Sequence, residues 1–371
     1  MRTIMQSVLL TCMLLLPRVC AAQGQSGSTL SGPTMGLMFD SAAAVIRPIL
    51  GIPGAATLGT PLDPGFAFAQ VVVAPGGEFA LVVEKHGFRM AIVRASGEVV
   101  RNLTPAMSEA PDLIEFSPGG ASAAVYYRIS GRLLVLTGLN GPTPRVGQAD
   151  TSTLPAPPSL LAVSEDASSL LLTVSTADTA AVYLLPNAPS ATRQTSLKGF
   201  GGMVSGADAA SEAPAVTGVA RRVGNFRSIT ALRFAGSGHD AIVAEGTTNT
   251  VYLIQNASGA AQISALGSAG DGLSRPVAIE ALDARRVLVA NAGSDKLTML
   301  YRDGTPSESI ACGCSAVVLH QLAGTSVYRL TEPSNGPMWL LDAGGREARI
   351  LAVPPDHSQT ASTTVVEGAQ R

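Results

Sequence analysis

Charge is scarce in this sequence. Asp, Glu, Lys and Arg make up 14% of the residues, against about 25% in an ordinary soluble domain. With 25 basic and 27 acidic residues, the chain has no electrostatic footprint for nucleic acid. Histidine is rarer still: His86, His239, His320 and His357 are the four, and no two stand at i, i+2 or i, i+4. That spacing excludes a local zinc-ligand motif and leaves no metal expectation. Serine is common, yet no G-x-S-x-G elbow occurs, so nucleophilic hydrolysis has no foothold and no catalytic residue is assigned. No cofactor fingerprint occurs either. Apolar runs stay well short of the roughly 20 residues a membrane-spanning helix needs. What the chain has in quantity is glycine, 39 residues, and proline, 24, which together leave little room for helix.

The first residues set the expected compartment. After Arg2 an apolar stretch runs from Val8 to Leu16, interrupted by Thr11 and Cys12, and Cys20-Ala21-Ala22 then precedes a polar Gln23-Gly24-Gln25-Ser26. A short apolar core ending in small residues reads as a secretory signal over 1–22, cleaved after Ala22. The expected product is exported, periplasmic or extracellular. Lipidation at Cys20 is a second reading, opposed by Pro17-Arg18-Val19, which are not the small apolar residues such a site needs. Removal of Arg2 and Arg18 lowers the 25 basic residues to 23, against 27 acidic, a net charge of −4.

Internal repetition carries most of the information. Six segments align: VVVAPGGEFALVV from Val71, LIEFSPGGASAAVYY from Leu113, LLAVSEDASSLLLTV from Leu160, ALRFAGSGHDAIVAE from Ala231, AIEALDARRVLVAN from Ala278 and VLHQLAGTSVYRLTE from Val318. Each reads as strand, tight turn, strand. The turn-leading residues Ala74, Ser117, Ser164, Ala235, Leu282 and Leu322 are 43, 47, 71, 47 and 40 residues apart. Four of these steps fit the roughly 40–50 residues of a propeller blade, and the fifth fits a blade plus an insertion. A third apolar strand follows in every unit, as in RMAIVRASG and TVYLIQNASG, ending in Gly, Asn, Asp or Ser residues that suit a hairpin turn. A fourth short strand returns, for example Arg349 to Val353. The unit is a four-stranded antiparallel meander. One meander cannot bury both faces, so the units must stack and close radially.

The sequence therefore predicts an all-β fold, a β-propeller of four-stranded antiparallel blades over 34–354, expected as a monomer. Leu37-Met38-Phe39-Asp40 with Arg47 mirrors Leu340-Leu341-Asp342 with Arg349, each 302 residues on. Residues 36–52 thus read as the third and fourth strands of a further blade. Seven blades with one incomplete is the preferred count, and six blades plus an N-terminal hairpin the rival. Residues 196–227, with weak alternation and six glycines, read as an insertion loop in which Arg221-Arg222 and Phe226-Arg227 offer a docking edge. The polar ends, 23–33 and 355–371, read as mobile tails.

RRVLVANAGSDKLTMLYRDG, from Arg285 to Gly304, resembles the repeat of the YVTN family of bacterial surface and periplasmic β-propellers. Gly270-Asp271-Gly272, ahead of Pro276, is similar to the loop between blades of NHL propellers. Weaker echoes of both cover most of 34–354. The chain departs from WD40 proteins: their Trp-Asp pair is absent, and Trp339 is the only tryptophan. The resemblance implies fold, because these families include binding proteins, lactonases and cofactor enzymes. Lactonases of this class bind a divalent ion through acidic side chains on the central channel. Glu84, Glu115, Glu245, Glu280 and Asp295 lie on or beside blade strands and are the residues to compare with that pattern.

Cys312-Gly313-Cys314 contains both cysteines that survive cleavage, at the bend into the last blade. An oxidising compartment favours a disulfide, and Gly313 permits the backbone a one-residue ring needs. Buried thiols packing as small apolar groups, or a redox or metal role, remain the alternatives. Two functions follow. One is a non-catalytic scaffold or binding module for a protein, peptide or glycan partner. The other is a lactonase-like hydrolase working at the channel mouth, which an acidic cluster with a His or Arg there would favour. The module is preferred, because the repeat phases place Ala, Val and Leu where channel carboxylates would stand.

Overall fold

The computed structural model describes residues 32–176, 179–186, 218–322, 326–332, 336–345 and 347–355. The expected leader 1–22, almost all of both expected tails, His357 and most of the expected insertion fall outside these residues. The fold is all-β, with seven antiparallel meanders arranged as a seven-bladed propeller. Blade 1 holds β1 (Thr34–Asp40), β2 (Val45–Ile52) and β3 (Ala55–Leu58). Blade 2 holds β4 (Phe68–Val73), β5 (Phe79–Glu84), β6 (Met90–Arg94) and β7 (Val99–Val100). Blade 3 holds β8 (Leu113–Phe116), β9 (Ser122–Tyr127), β10 (Arg132–Thr137) and β11 (Arg145–Ala149). Blade 4 holds β12 (Leu160–Val163), β13 (Ser169–Ser175), β14 (Ala180–Pro186) and β15 (Arg221–Phe226). Blade 5 holds β16 (Ile229–Phe234), β17 (Ala241–Glu245), β18 (Thr250–Gln255) and β19 (Gln262–Gly267). Blade 6 holds β20 (Pro276–Ala281), β21 (Arg286–Asn291), β22 (Lys296–Tyr301) and β23 (Glu308–Ala311). Blade 7 holds β24 (His320–Gln321), β25 (Val327–Arg329), β26 (Met338–Asp342) and β27 (Arg349–Val353). Among the described residues one 3-10 turn, Ala269–Asp271, is the helical content.

The second strand of each full blade explains why the blades cannot stand alone. Every residue of β5, β9 and β17 is buried, so both faces of these strands need a cover. The ring supplies it as seven apolar clusters, one at each interface between blades. Between blades 2 and 3, Leu81, Val83 and Ile92 pack on Ile114, Phe116 and Val125. There Phe79 and Phe116 meet edge to face with centroids 5.8 Å apart, a favoured aromatic geometry. Inner strands β4, β16 and β20 share a register shift, between Phe68 and Gln70, Ile229 and Ala231, and Pro276 and Ala278. One extra residue there re-aims the side chains that follow.

Blade 1 is a blade, not an appended hairpin. Met38 and Ile49 pack on Leu322 and Leu340 of blade 7, and Leu37 and Ile46 pack on Val73 and Val82 of blade 2. It differs from the sequence expectation in one respect. Residues 36–52 were expected as third and fourth strands, whereas β1 is buried on both faces like a second strand, and β3 extends the sheet to Leu58. The position left open among the described residues is therefore the innermost one. Blades 7 and 2 meet across it, where Gly76 N–H donates to Gln321 O at 3.1 Å, and blade 1 joins them as Leu37 N–H donates to Gly77 O at 2.7 Å. A Cβ on Gly77 would stand 2.8 Å from Gly36 Cα, and its φ of +67° suits glycine alone. The end of the expected insertion is also structured: Arg221–Phe226 forms β15, the outer strand of blade 4.

Candidate functional site

An innermost strand buries alternate side chains against the neighbouring blades and turns the others toward the axis. In β8 and β16 the buried residues are Ile114, Phe116, Leu232 and Phe234, while Leu113, Glu115, Ala231 and Arg233 are half-exposed. On an innermost strand such exposure opens onto the central channel. Two residues before each turn-leading position stand Val72, Glu115, Ala162, Arg233, Glu280 and His320. Four of these six equivalent positions carry a charged or ionisable side chain, and three of them meet.

Arg233 of blade 5 reaches Glu115 of blade 3 through its Nη1, and its Nε lies 3.7 Å from Glu280 Oε2 of blade 6. The guanidinium thus stands between two carboxylates from different blades. Side-chain accessibilities are 29% for Arg233, 28% for Glu115 and 15% for Glu280. Burial pushes the Glu280 carboxyl up to about 7; Arg233 opposes the shift and the like charge of Glu115 adds to it. Burial also raises Glu115, again against the pull of Arg233. His320 goes the other way. Burial, then the charges of Arg329 and Arg233, hold it down to about 3, and its ring is hydrogen-bonded to the Ala74 backbone of blade 2. The imidazole is therefore neutral across the ordinary pH range. Its Nε2 is buried without a hydrogen-bond partner. Behind it, Arg329 is held by both carboxylate oxygens of Glu332, at 3.2 and 3.3 Å.

The other carboxylates compared from sequence do not join this layer. Glu84 pairs with Arg101 at 3.0 Å. Glu245 caps the turn after β15 by accepting Arg227 and Ser228 N–H and the Thr248 hydroxyl, the last at 2.7 Å. Asp295 is exposed, and its backbone oxygen accepts Cys312 N–H at 3.0 Å. His86 is exposed, and His239 stands near Asp166 among the turns. The expectation of Ala, Val and Leu at these positions fails at the four polar ones; Ala162 is buried in the cluster between blades 4 and 5, and Val72 packs against the one between blades 2 and 3. Arg233 and His320 escaped the sequence reading, although the aligned column containing Glu115 and Glu280 also contains them. Among the described residues, no three His, Cys, Asp or Glu side chains are grouped to hold a metal ion. No helix among them is long and apolar enough to cross a membrane.

Two further features lie off the axis. A groove of about 380 Å³ between blades 5 and 6 is lined by Ser228, Thr230, Gly246, Thr247, Asn249 and Arg275. Asn249 and Arg275 both have positive φ, and Asn249 Oδ1 accepts Arg275 N–H at 2.6 Å, so the loops lock each other. In the link from β23 to β24, the sulfurs of Cys312 and Cys314 are in bonding contact with Cα atoms 4.9 Å apart, a spacing disulfides accept. Gly313 between them has φ +60°. Both cysteines are buried beside Leu341 and Ala343. The expected result is an intact mass about 2 Da higher after reduction, and only a modest fall in melting temperature for Cys312→Ser with Cys314→Ser, because so small a ring removes little chain entropy. An unchanged mass would mean two free thiols packed as apolar groups.

No family model matches the sequence, and no curated protein matches it. Among solved structures the chain is similar to a functionally unknown protein from Desulfotomaculum acetoxidans, with 12% identity, covering 87% of this chain and 100% of that one at a TM-score of 0.51. It is also similar to the dihydro-heme d1 dehydrogenase NirN in complex with DHE, with 12% identity, 87% of this chain and 64% of that one at a TM-score of 0.50. Likeness at this identity shows the fold. Fold and site together define a seven-bladed β-propeller whose channel is crossed by a layer of ionisable side chains. The resemblance to YVTN and NHL repeats rests on the residues that carry it.

Proposed function

We propose that the chain is an exported binding propeller, a rigid non-catalytic ring that presents its channel mouth and loops to a protein, peptide or glycan partner. The observation that supports this reading most is the placement of Arg233 between Glu115 and Glu280. A catalytic channel keeps its base and its electrophile aimed at a reacting atom. Here the cation is already engaged by carboxylates from two other blades, which braces the ring across its axis. A rigid scaffold with variable loops suits recognition. Screening the immobilised mature chain, from Gln23, against peptide and glycan panels should give at least one saturable ligand whose binding is lost on substitution at the channel mouth. Saturable binding that ignores every channel and loop substitution would overturn the reading.

One observation favours a second reading. A carboxyl held near 7, as Glu280 is, matches what a general acid or base needs at neutral pH. Turnover of a lactone or ester panel that disappears in Glu280→Gln would put this hydrolytic reading first.

A further inference from the structure

The outermost strand of each blade leaves one edge without a partner strand among the described residues. Such edges pair with other strands unless charge, proline or shortness prevents it. Four of the seven carry charge: Arg145 in β11, Arg221 and Arg222 in β15, Glu308 in β23 and Arg349 in β27. Two more, β7 and β3, are two and four residues long. β19 differs from all of these. Its six residues, Gln262–Gly267, include neither charge nor proline, and no charged residue occurs from Gln255 to Gly270. Gln262, Ile263, Ser264 and Ala265 are all exposed, Ile263 by 41%.

The register shows which main-chain groups this edge offers. Asp240 O accepts Ala235 N–H at 2.8 Å and so faces β16. Successive residues of a strand turn their main-chain groups to opposite sides, so Ala241 faces its partner Ile254 on β18. Leu253 and Gln255 then face β19, and Ser264 and Gln262 face back to them. Ile263 and Ala265 are left with N–H and C=O turned outward, and no hydrogen bond among the described residues uses them.

We propose that β19 is a self-recognition edge, which pairs antiparallel with β19 of a second copy of this chain about a twofold axis at Ser264. In that register Ile263 stands opposite Ala265 of the second copy, and Ala265 opposite its Ile263. Both pairs bring outward groups together, and each exchanges two N–H···O bonds. Ile263 and Ala265 form an apolar patch on one face of the joint, and the two Ser264 hydroxyls meet on the other. A twofold axis sets residues near it against their own copies, so a charge there would meet a like charge. The uncharged run meets that requirement, and the charged edges of β11, β15, β23 and β27 do not. The two blade 5 sheets become one. A joint of this size belongs to the weak, transient class, and it replaces the monomer expected from sequence.

Sedimentation equilibrium of the mature chain from about 10 µM to about 1 mM should show monomer and dimer, equally at low and high salt because no charge takes part. Ser264→Lys and Ser264→Glu should each weaken the dimer at least fivefold. An equimolar mixture of the two should restore it at low salt, which also shows that both variants fold. Ala265→Pro removes an N–H that its own blade does not use and should abolish the dimer. Thr57→Lys, at an exposed position of the outer strand β3, is the control and should change nothing. A monomer throughout, species larger than the dimer, or single variants that mixing does not rescue would overturn the inference. A chain that stays monomeric yet binds the extended peptide acetyl-Thr-Val-Ser-Val-Thr-amide would assign the edge to a foreign strand and overturn self-recognition.

Discussion

Acidification from pH 8 to pH 5 stabilises the folded ring through Glu280. The sign follows from linkage: the folded carboxyl sits near 7 and the unfolded one near 4.5, so the folded state holds the proton more tightly. The cost of ionising this group is absent below pH 4.5, grows between 4.5 and 7, and is fully present above 7. A displacement of this size corresponds to at most about 3 kcal/mol. Burial is the largest cause, and the side chain is 15% exposed, so solvent screening removes little of it. Urea unfolding at unit steps of pH should show Glu280→Gln more stable than the parent by about 2–3 kcal/mol at pH 8 and equal to it at pH 4.5. The difference between the two proteins isolates this group from Asp166, Asp283 and Asp303, whose carboxyls are held below the usual range and act at lower pH. A difference that does not change with pH would mean that Glu280 is solvated and not part of an enclosed layer.

Arg233→Ala should be the more damaging change. Removing one member of a buried ion pair costs roughly 3–5 kcal/mol, because the remaining charge stays desolvated and alone. Here two carboxylates lose the same cation, while the partial exposure of all three side chains softens the penalty, so about 2–3 kcal/mol is expected at pH 8. The loss should shrink toward pH 5 as Glu280 takes up its proton. Adding Glu280→Gln to Arg233→Ala should recover part of the stability at pH 8. An effect within about 0.5 kcal/mol, typical of a surface site, would show that Arg233 does not span the channel.

The repeats carried the fold because a blade needs strongly apolar second and third strands, and six copies of that pattern survive in the sequence at near-constant spacing. The turn-leading residues from Ala74 to Leu322 locate six inner strands. Blade 1 was harder. The match of Asp40 and Arg47 with Asp342 and Arg349 suggested third and fourth strands, yet position in a blade is decided by which neighbours cover each face, and Met38 and Leu37 are covered on both sides. The strand β3 is four residues long, and β15 is a polar strand with a glycine at its centre, so neither announces itself by alternation. At the site, Glu115 and Glu280 were legible as channel candidates. Glu84 and Glu245 were not separable from them by composition; they end second strands and serve Arg101 and a backbone turn. The role of Arg233 depends on a partner 118 residues away, a distance that no local pattern spans.

A double-mutant cycle between Glu115 and Arg233 tests the central claim most directly. Glu115→Gln, Arg233→Met and the double variant would be unfolded in urea at pH 8, and the interaction energy taken from the four stabilities. Residues on blades 3 and 5 that meet across the channel should couple by about 1–3 kcal/mol. Strict additivity, within about 0.3 kcal/mol, would contradict the assembly of these blades around a shared charged layer.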